Sequence, residues 1–210
     1  MKIKTLPLGA LSTNCYIIED ETAQKCAVID PADNAQEILR VTEMCGVKIE
    51  KIILTHAHFD HMMALPQLYE KTGALVVVGQ YDAPGLTLPT LNLSSAFMGK
   101  NFTFDGNYKT VHDGDEISVG DSVKLKVMST PGHTPGSICL VANDGKSVFT
   151  GDTVFASSIG RTDFPGGNLA AILDSLSRVL ALDEDLILYP GHGPSTLVRD
   201  EKACNPYYRR

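Results

Sequence analysis

No stretch of the 210-residue chain approaches the roughly 20 apolar residues of a membrane-spanning helix, so no membrane partner is expected. A secretory leader is also missing from the start. After Lys2 and Lys4, residues 5–18 are broken by Pro7, Gly9, Ser12, Thr13 and Asn14, and Glu19, Asp20 and Glu21 follow. Cysteine is sparse and unpatterned. Cys15, Cys26, Cys45, Cys139 and Cys204 form no C-x-x-C pair, and an odd, scattered set reads as buried thiols in a reducing compartment. These absences point to the cytoplasm. Positive charge is thin as well: 18 Lys+Arg stand against 25 Asp+Glu, and only Arg209–Arg210 is densely basic. Nucleic acid needs clustered cations to neutralise its phosphates, so it is not an expected partner. The oligomeric state is not legible.

What is present is an ordinary globular balance, 43% hydrophobic and 20% charged, enough for a full core. No linker or repeat divides residues 1–210, which read as a single domain. Short strands are predicted at Ile3–Leu8, Cys15–Ile18, Cys26–Ile29, Lys51–Leu54 and Leu75–Val78. Residues 117–128 read as a strand pair turning at Gly120–Asp121, and 137–150 as a hairpin turning on Asn143-Asp144-Gly145. Leu186–Tyr189 is a last strand. Helices are predicted at Ala35–Cys45, capped by Asp33 or Asn34 and stopped by Gly46, and at Leu65–Lys71. Two more are expected at residues 169–181 and Thr196–Cys204. Strands arriving in adjacent pairs fit an α+β core of two sheets with helices outside. Residues 83–99 carry no charge and no clear period, which suits either a lid or a surface excursion.

Five of the six histidines fall in three short pieces of sequence. Thr55-His56-Ala57-His58-Phe59-Asp60-His61 follows the strand KIIL, Thr130-Pro131-Gly132-His133-Thr134 follows LKVMS, and Pro190-Gly191-His192-Gly193 follows LILY. A fourth piece, Thr150-Gly151-Asp152-Thr153, follows SVF and supplies a carboxylate. Each is an apolar strand, a turn, then a side chain able to hold a metal. Strands with aligned ends would bring these side chains to one patch. Imidazole and carboxylate together suit zinc, iron or manganese, and no cysteine lies near enough for a closed structural zinc site. His56 and His58, two apart, project the same way from an extended backbone, whereas Asp60 and His61 face a second position. His112 is a lone histidine and stays outside the site.

At these residues the sequence resembles the metallo-β-lactamase superfamily, and within it the glyoxalase II-like (hydroxyacylglutathione hydrolase-like) branch. The family pattern H-x-H-x-D-H stands as HAHFDH, and the later single residues match His133, Asp152 and His192, over residues 2–206. Asp30-Pro31, Gly160-Arg161-Thr162-Asp163-Phe164 and the close Gly191-His192-Gly193-Pro194-Ser195-Thr196 with Glu201 and Asn205-Pro206 also look like that branch. The resemblance implies a four-layer αββα sandwich with two divalent metals, zinc above all, at one sheet edge. His56, His58 and His133 would hold the first metal, Asp60, His61 and His192 the second, and Asp152 would bridge them. The implied reaction is thioester hydrolysis, a water between two dications serving as nucleophile, with Asp60 and Asp152 in the catalytic centre.

Arg161 reads either as the grip for an acidic group of a small-molecule thioester or as a structural partner of Asp163. Asp30 reads either as an acceptor holding the histidine loop or as a turn residue before Pro31. The chain departs from full-length glyoxalase II in having no C-terminal helical extension, and in Gly193-Pro194 where an aromatic would follow the last histidine. The thiol carrier is therefore open. The rival reading is a persulfide dioxygenase with one iron on two histidines and an aspartate, its second ligand set empty.

Overall fold

The computed structural model describes residues 1–208, and the Arg209–Arg210 pair lies outside the described residues. Along the first half run β1 (Lys2–Leu8), β2 (Thr13–Asp20), β3 (Lys25–Ile29), β4 (Lys48–Leu54), β5 (Leu75–Gly79) and β6 (Tyr108–Val111), which form one sheet in that order. The pairs β1–β2 and β2–β3 are antiparallel, and β3 to β6 run parallel. Parallel neighbours need crossovers, and α1 (Ala35–Cys45) and α2 (Leu65–Thr72) supply two of them, while the single turn α3 (Ser94–Phe97) lies in the connection from β5 to β6.

The second half gives β7 (Glu116–Val119), β8 (Val123–Ser129), β9 (Ile138–Ala142) and β10 (Ser147–Gly151) as an antiparallel meander. A small hairpin, β11 (Val154–Phe155) with β12 (Ser158–Ile159), and α4 (Leu169–Leu180) then lead to β13 (Ile187–Pro190), parallel to β10. The edge strand β14 (Thr196–Leu197) and α5 (Val198–Cys204) close the described chain.

Side chains of one strand alternate between faces, and that alternation builds the layers. In β2, Cys15 and Ile17 join a core with Ile38 of α1 and Leu65 and Leu68 of α2. Tyr16 and Ile18 of the same strand join a second core, between the sheets, with Leu125, Val127, Leu140 and Phe149. A third core places Cys139 and Val148 of the second sheet against Ile172, Leu176 and Val179 of α4. Three parallel cores make four layers, helix–sheet–sheet–helix, as expected.

The caps hold as read. Asn34 takes the left-handed conformation (φ 51°) and its side chain accepts from the Glu37 N–H, while Gly46 (φ 68°) stops α1. The final helix starts later than predicted. Thr196 and Leu197 pair with Leu188 and Ile187 as β14, so α5 begins at Val198. Strand β6 escaped the sequence because Tyr108-Lys109-Thr110-Val111 is an exposed edge with one buried residue. Residues 83–99 run over the surface but are pinned from within: Asn92 is buried, donates to the Gly85 and Phe102 carbonyls and accepts from the Ser94 N–H.

Candidate metal centre

Strand direction explains why distant residues meet. The parallel pair β3–β4 sets Asp30 beside Thr55, and the parallel pair β10–β13 sets Asp152 beside His192. Two antiparallel steps, β8–β9 and β9–β10, return β8 to the direction of β10, so His133 leaves the same edge. The two sheets are joined there by backbone bonds from Ile138 N–H to the Thr55 carbonyl (2.9 Å) and from Asn14 N–H to the Gly191 carbonyl (2.7 Å). Gly191 must be glycine for space: a Cβ there would collide with Asp152 Oδ1 and the His61 ring.

All seven predicted ligands lie in this cluster. His56 Nε2 is 3.1 Å and His133 Nε2 is 2.9 Å from His58 Nδ1, so one set of three nitrogens converges. A second set joins Asp60, His61 and His192, with Asp60 Oδ2 3.3 Å from His192 Nε2 and 3.5 Å from His61 Nε2. Asp152 spans both. Its Oδ2 is 3.5 Å from His133 Nε2 and 3.7 Å from His192 Nε2, and its Oδ1 is 3.5 Å from His61 Nε2.

Neighbouring groups turn three of the five rings toward the centre. His61 Nδ1 points at Asp30 Oδ2 (3.0 Å), His133 Nδ1 at the Arg161 carbonyl (2.8 Å) and His192 Nδ1 at the Leu11 carbonyl (3.2 Å). A nitrogen donating to a carbonyl or carboxylate carries the proton, which leaves each Nε2 lone pair for a metal. Asp30 also accepts from the Thr55 N–H (2.7 Å) and hydroxyl (2.6 Å). Here it orients the histidine loop and is more than a turn residue.

Burial holds His56 well below its ordinary pKa, and His61, His58 and His133 push the same way. Burial and then His133 lower His58 to about 3. Burial would raise Asp60, but His61 and His192 outweigh it and hold the carboxyl ionised. Burial opposes charge on His61, yet Asp60, Asp152 and Asp30 lift its pKa to about 10. The pocket thus concentrates negative charge that a bound dication would offset.

The fit to metal ions rests on orphaned atoms. His61 Nε2 and Asp152 Oδ1 are buried, face one another and have no hydrogen-bond partner. Buried polar groups are normally satisfied, and two unsatisfied ones aimed at one point fit a bound cation. Nitrogen and carboxylate donors with no thiolate suit zinc, iron or manganese.

The sequence did not single out Asp82. It is buried, and burial raises its pKa. Its Oδ2 accepts from the Ala57 N–H (2.9 Å) and the Thr134 hydroxyl (2.8 Å), and its Oδ1 from the Gly136 N–H (2.7 Å). One carboxylate therefore ties the first histidine loop to the second. An acid in Gln80-Tyr81-Asp82-Ala83-Pro84 carries no signal of that kind. Thr13, Asn14 and Tyr16 were missed too. They hold the Asp60 carboxylate, the Pro190 and Gly193 carbonyls, and the Pro190 carbonyl respectively.

Arg161 is exposed at the rim of a 460 Å³ cavity over the cluster. Its Nε and Nη2 donate to both Asp163 oxygens at 2.7 Å, and its guanidinium lies 3.9 Å from the Phe164 ring centroid. His112 is exposed and distant from the cluster, as expected.

The sequence profile of the metallo-beta-lactamase superfamily matches residues 8–192. The chain belongs to that superfamily. It is 34% identical to a probable metallo-hydrolase, YqgX, of Bacillus subtilis (strain 168), over 99% of this chain and 97% of that one. It is 31% identical to the hydroxyacylglutathione hydrolase GloC of Haemophilus influenzae (strain ATCC 51907 / DSM 11121 / KW20 / Rd), over 99% and 98%. Among solved structures, the BLEG-1 B3 metallo-beta-lactamase superposes with TM-score 0.92 at 31% identity, covering 98% of this chain and 99% of that one. ETHE1 from Myxococcus xanthus superposes with TM-score 0.81 at 32% identity, covering 98% and 84%. The fold is the metallo-β-lactamase fold, and its His/Asp cluster can bind metal. Among the described residues no helix is long and apolar enough to cross a membrane.

Proposed function

We propose that this superfamily member is a metal-dependent thioester hydrolase of the glyoxalase II type, with two zinc ions on the ligand sets described. The observation that carries the reading is Asp152, whose carboxylate lies between two converging triads at the floor of an open cavity. When bound, such a metal pair acidifies a water and polarises a carbonyl. The chain's own residues do the rest. His56, His58 and His133 would hold one metal and Asp60, His61 and His192 the other, while Asp30 and the Arg161 and Leu11 carbonyls fix ring orientation. Arg161, once freed from Asp163, would grip a carboxylate of the substrate by two parallel hydrogen bonds. A thiolate with a conjugate-acid pKa of about 8.5 leaves with little acid help, so no further proton donor is needed. The GloC relative supports this branch. Cys15, Cys26 and Cys139 sit in the cores as buried thiols, in keeping with a cytoplasmic enzyme.

The rival persulfide dioxygenase needs one metal and leaves Asp60, His61 and His192 without a role. Their convergence favours the hydrolase. Metal analysis of purified protein, with turnover of S-lactoylglutathione and oxygen uptake on glutathione persulfide, tests the two together. Close to two metals per chain and thioester turnover are expected. One tightly held iron with oxygen uptake would replace the hydrolase reading by the dioxygenase.

A further inference from the structure

Beside the cavity over the cluster lies a second one of 390 Å³. Leu11, Phe59, Asp60 and Phe97 line both. Leu11 and Phe97 are 56% and 59% exposed, and the Phe59 and Phe97 rings stack at 6.3 Å, so the divide is an apolar ridge open to solvent. Beyond it Leu8, Met63 and Met98 line the second cavity. Exposed large apolar side chains grouped beside a catalytic cleft are a binding feature rather than scattered surface.

Charge divides the two cavities. Arg161 is the one Lys or Arg lining either, and it belongs to the first. The charged residues of the second are Asp60, already committed to the cluster, and Asp33. An anionic group can meet Arg161 in the first cavity, and in the second it meets no cation and is repelled by Asp33.

Resting on the thioester reading above, we propose that the second cavity receives a neutral aliphatic acyl chain, so that this protein prefers medium-chain acyl thioesters of an anionic thiol. The thiol carrier lies toward Arg161 and Phe164, the carbonyl over the cluster, and the chain crosses Leu11 and Phe97 to reach Met63 and Met98. The two methionines are adaptable gap-fillers that fit chains of several lengths. Asp33 selects against chains that end in a carboxylate.

Two measurements test it. The first is kcat/KM on glutathione thioesters from acetyl to octanoyl, with adipoyl as the acidic counterpart. Apolar burial predicts a gain of roughly threefold per methylene up to about six carbons. Adipoyl should lose most of that gain, and Asp33→Asn should restore it. Met98→Asp should bring the hexanoyl and acetyl rates together. The second measurement is methionine-methyl NMR with two thioether ketones that cannot be hydrolysed. S-(2-oxooctyl)glutathione should shift the Met63 and Met98 methyls, and S-(2-oxopropyl)glutathione should leave them in place. A flat chain-length series with unmoved methyls overturns the acyl-chain site while leaving the hydrolase reading intact. Shifted methyls without turnover of any thioester would instead sink the hydrolase reading and keep the apolar site.

Discussion

His61 Nδ1 lies 3.0 Å from Asp30 Oδ2, with both side chains buried, so a residue at the end of β3 orients a ligand in the loop after β4. Asp30 reaches this place in the left-handed conformation (φ 49°), which aspartate tolerates better than most residues. Removing an outer partner of this kind weakens metal binding by about 10- to 100-fold. Asp30→Ala should therefore lower affinity at the position built on His61, measured by chelator competition, with the His56–His58–His133 position much less affected. Equal loss at both positions would mean that Asp30 supports the whole edge through Thr55.

Asp152 is the carboxylate between the triads, and His192 belongs to one of them. Asp152→Ala should weaken both metals together, whereas His192→Ala should release one. Metal stoichiometry after dialysis against a mild chelator reads the difference. Full occupancy in Asp152→Ala would show that the carboxylate is a bystander. The losses need not add, because ligands of one cluster act as a unit.

The Arg161–Asp163 pair is exposed on both sides, so solvent screens it, it contributes little to stability, and it is free to exchange partners. If Arg161 grips an acidic substrate group, Arg161→Ala raises KM for anionic thioesters, spares neutral ones and leaves metal content unchanged. If the pair only shapes the loop, both substrate classes suffer alike and Asp163→Asn mimics the defect. Steady-state kinetics on one acidic and one neutral thioester decides.

Asp82 accepts three hydrogen bonds where two loops meet, two of them from backbone N–H groups. Asp82→Ala leaves those donors short of an acceptor in the interior, at about 1–3 kcal/mol for each that stays unsatisfied. Urea unfolding should show a loss of that order. Metal affinity at the His56–His58–His133 position should fall with it, since the backbone N–H held by Asp82 lies between His56 and His58. A stability loss with unchanged metal affinity would limit Asp82 to a structural role.

Asp20 ties the end of β2 to the β7–β8 turn. It accepts from Thr22 and from the backbone N–H groups of Asp121 and Ser122. The Thr22 hydroxyl, then the Ser122 N–H, hold its pKa below the ordinary aspartate value. A carboxylate depressed in the folded state stabilises above its unfolded pKa of about 3.9, and that stability drains away as pH falls toward the folded value. The urea midpoint of the wild type should therefore fall more steeply below about pH 4 than that of Asp20→Asn. Parallel curves would assign acid sensitivity to other groups.

The layers and the clustering of seven candidate ligands were legible in the sequence. Continuous apolar runs in β2 to β5 mark strands covered on both faces, and local caps such as Asn34 and Gly46 end α1 whatever it packs against. HAHFDH, His133, Asp152 and His192 were legible because these seven residues fall in four pieces that each follow a strand, and the ends of strands running one way gather at one edge. Which nitrogen of His133 and His192 faces inward was not legible, because carbonyls of Arg161 and Leu11, 28 and 181 residues away, make that choice. Only the tertiary structure revealed Asp82, Asn14 and Tyr16, whose partners lie 25 to 179 residues away. It also turned residues 83–99 from a featureless run into a cavity wall, since Phe97 meets Phe59 only after the chain has folded back over the first histidine loop. The physical reason is one of range. Period and capping act over a few residues and leave their mark in the local sequence, whereas a hydrogen bond or ring contact between distant loops depends on where the intervening sheets carry them.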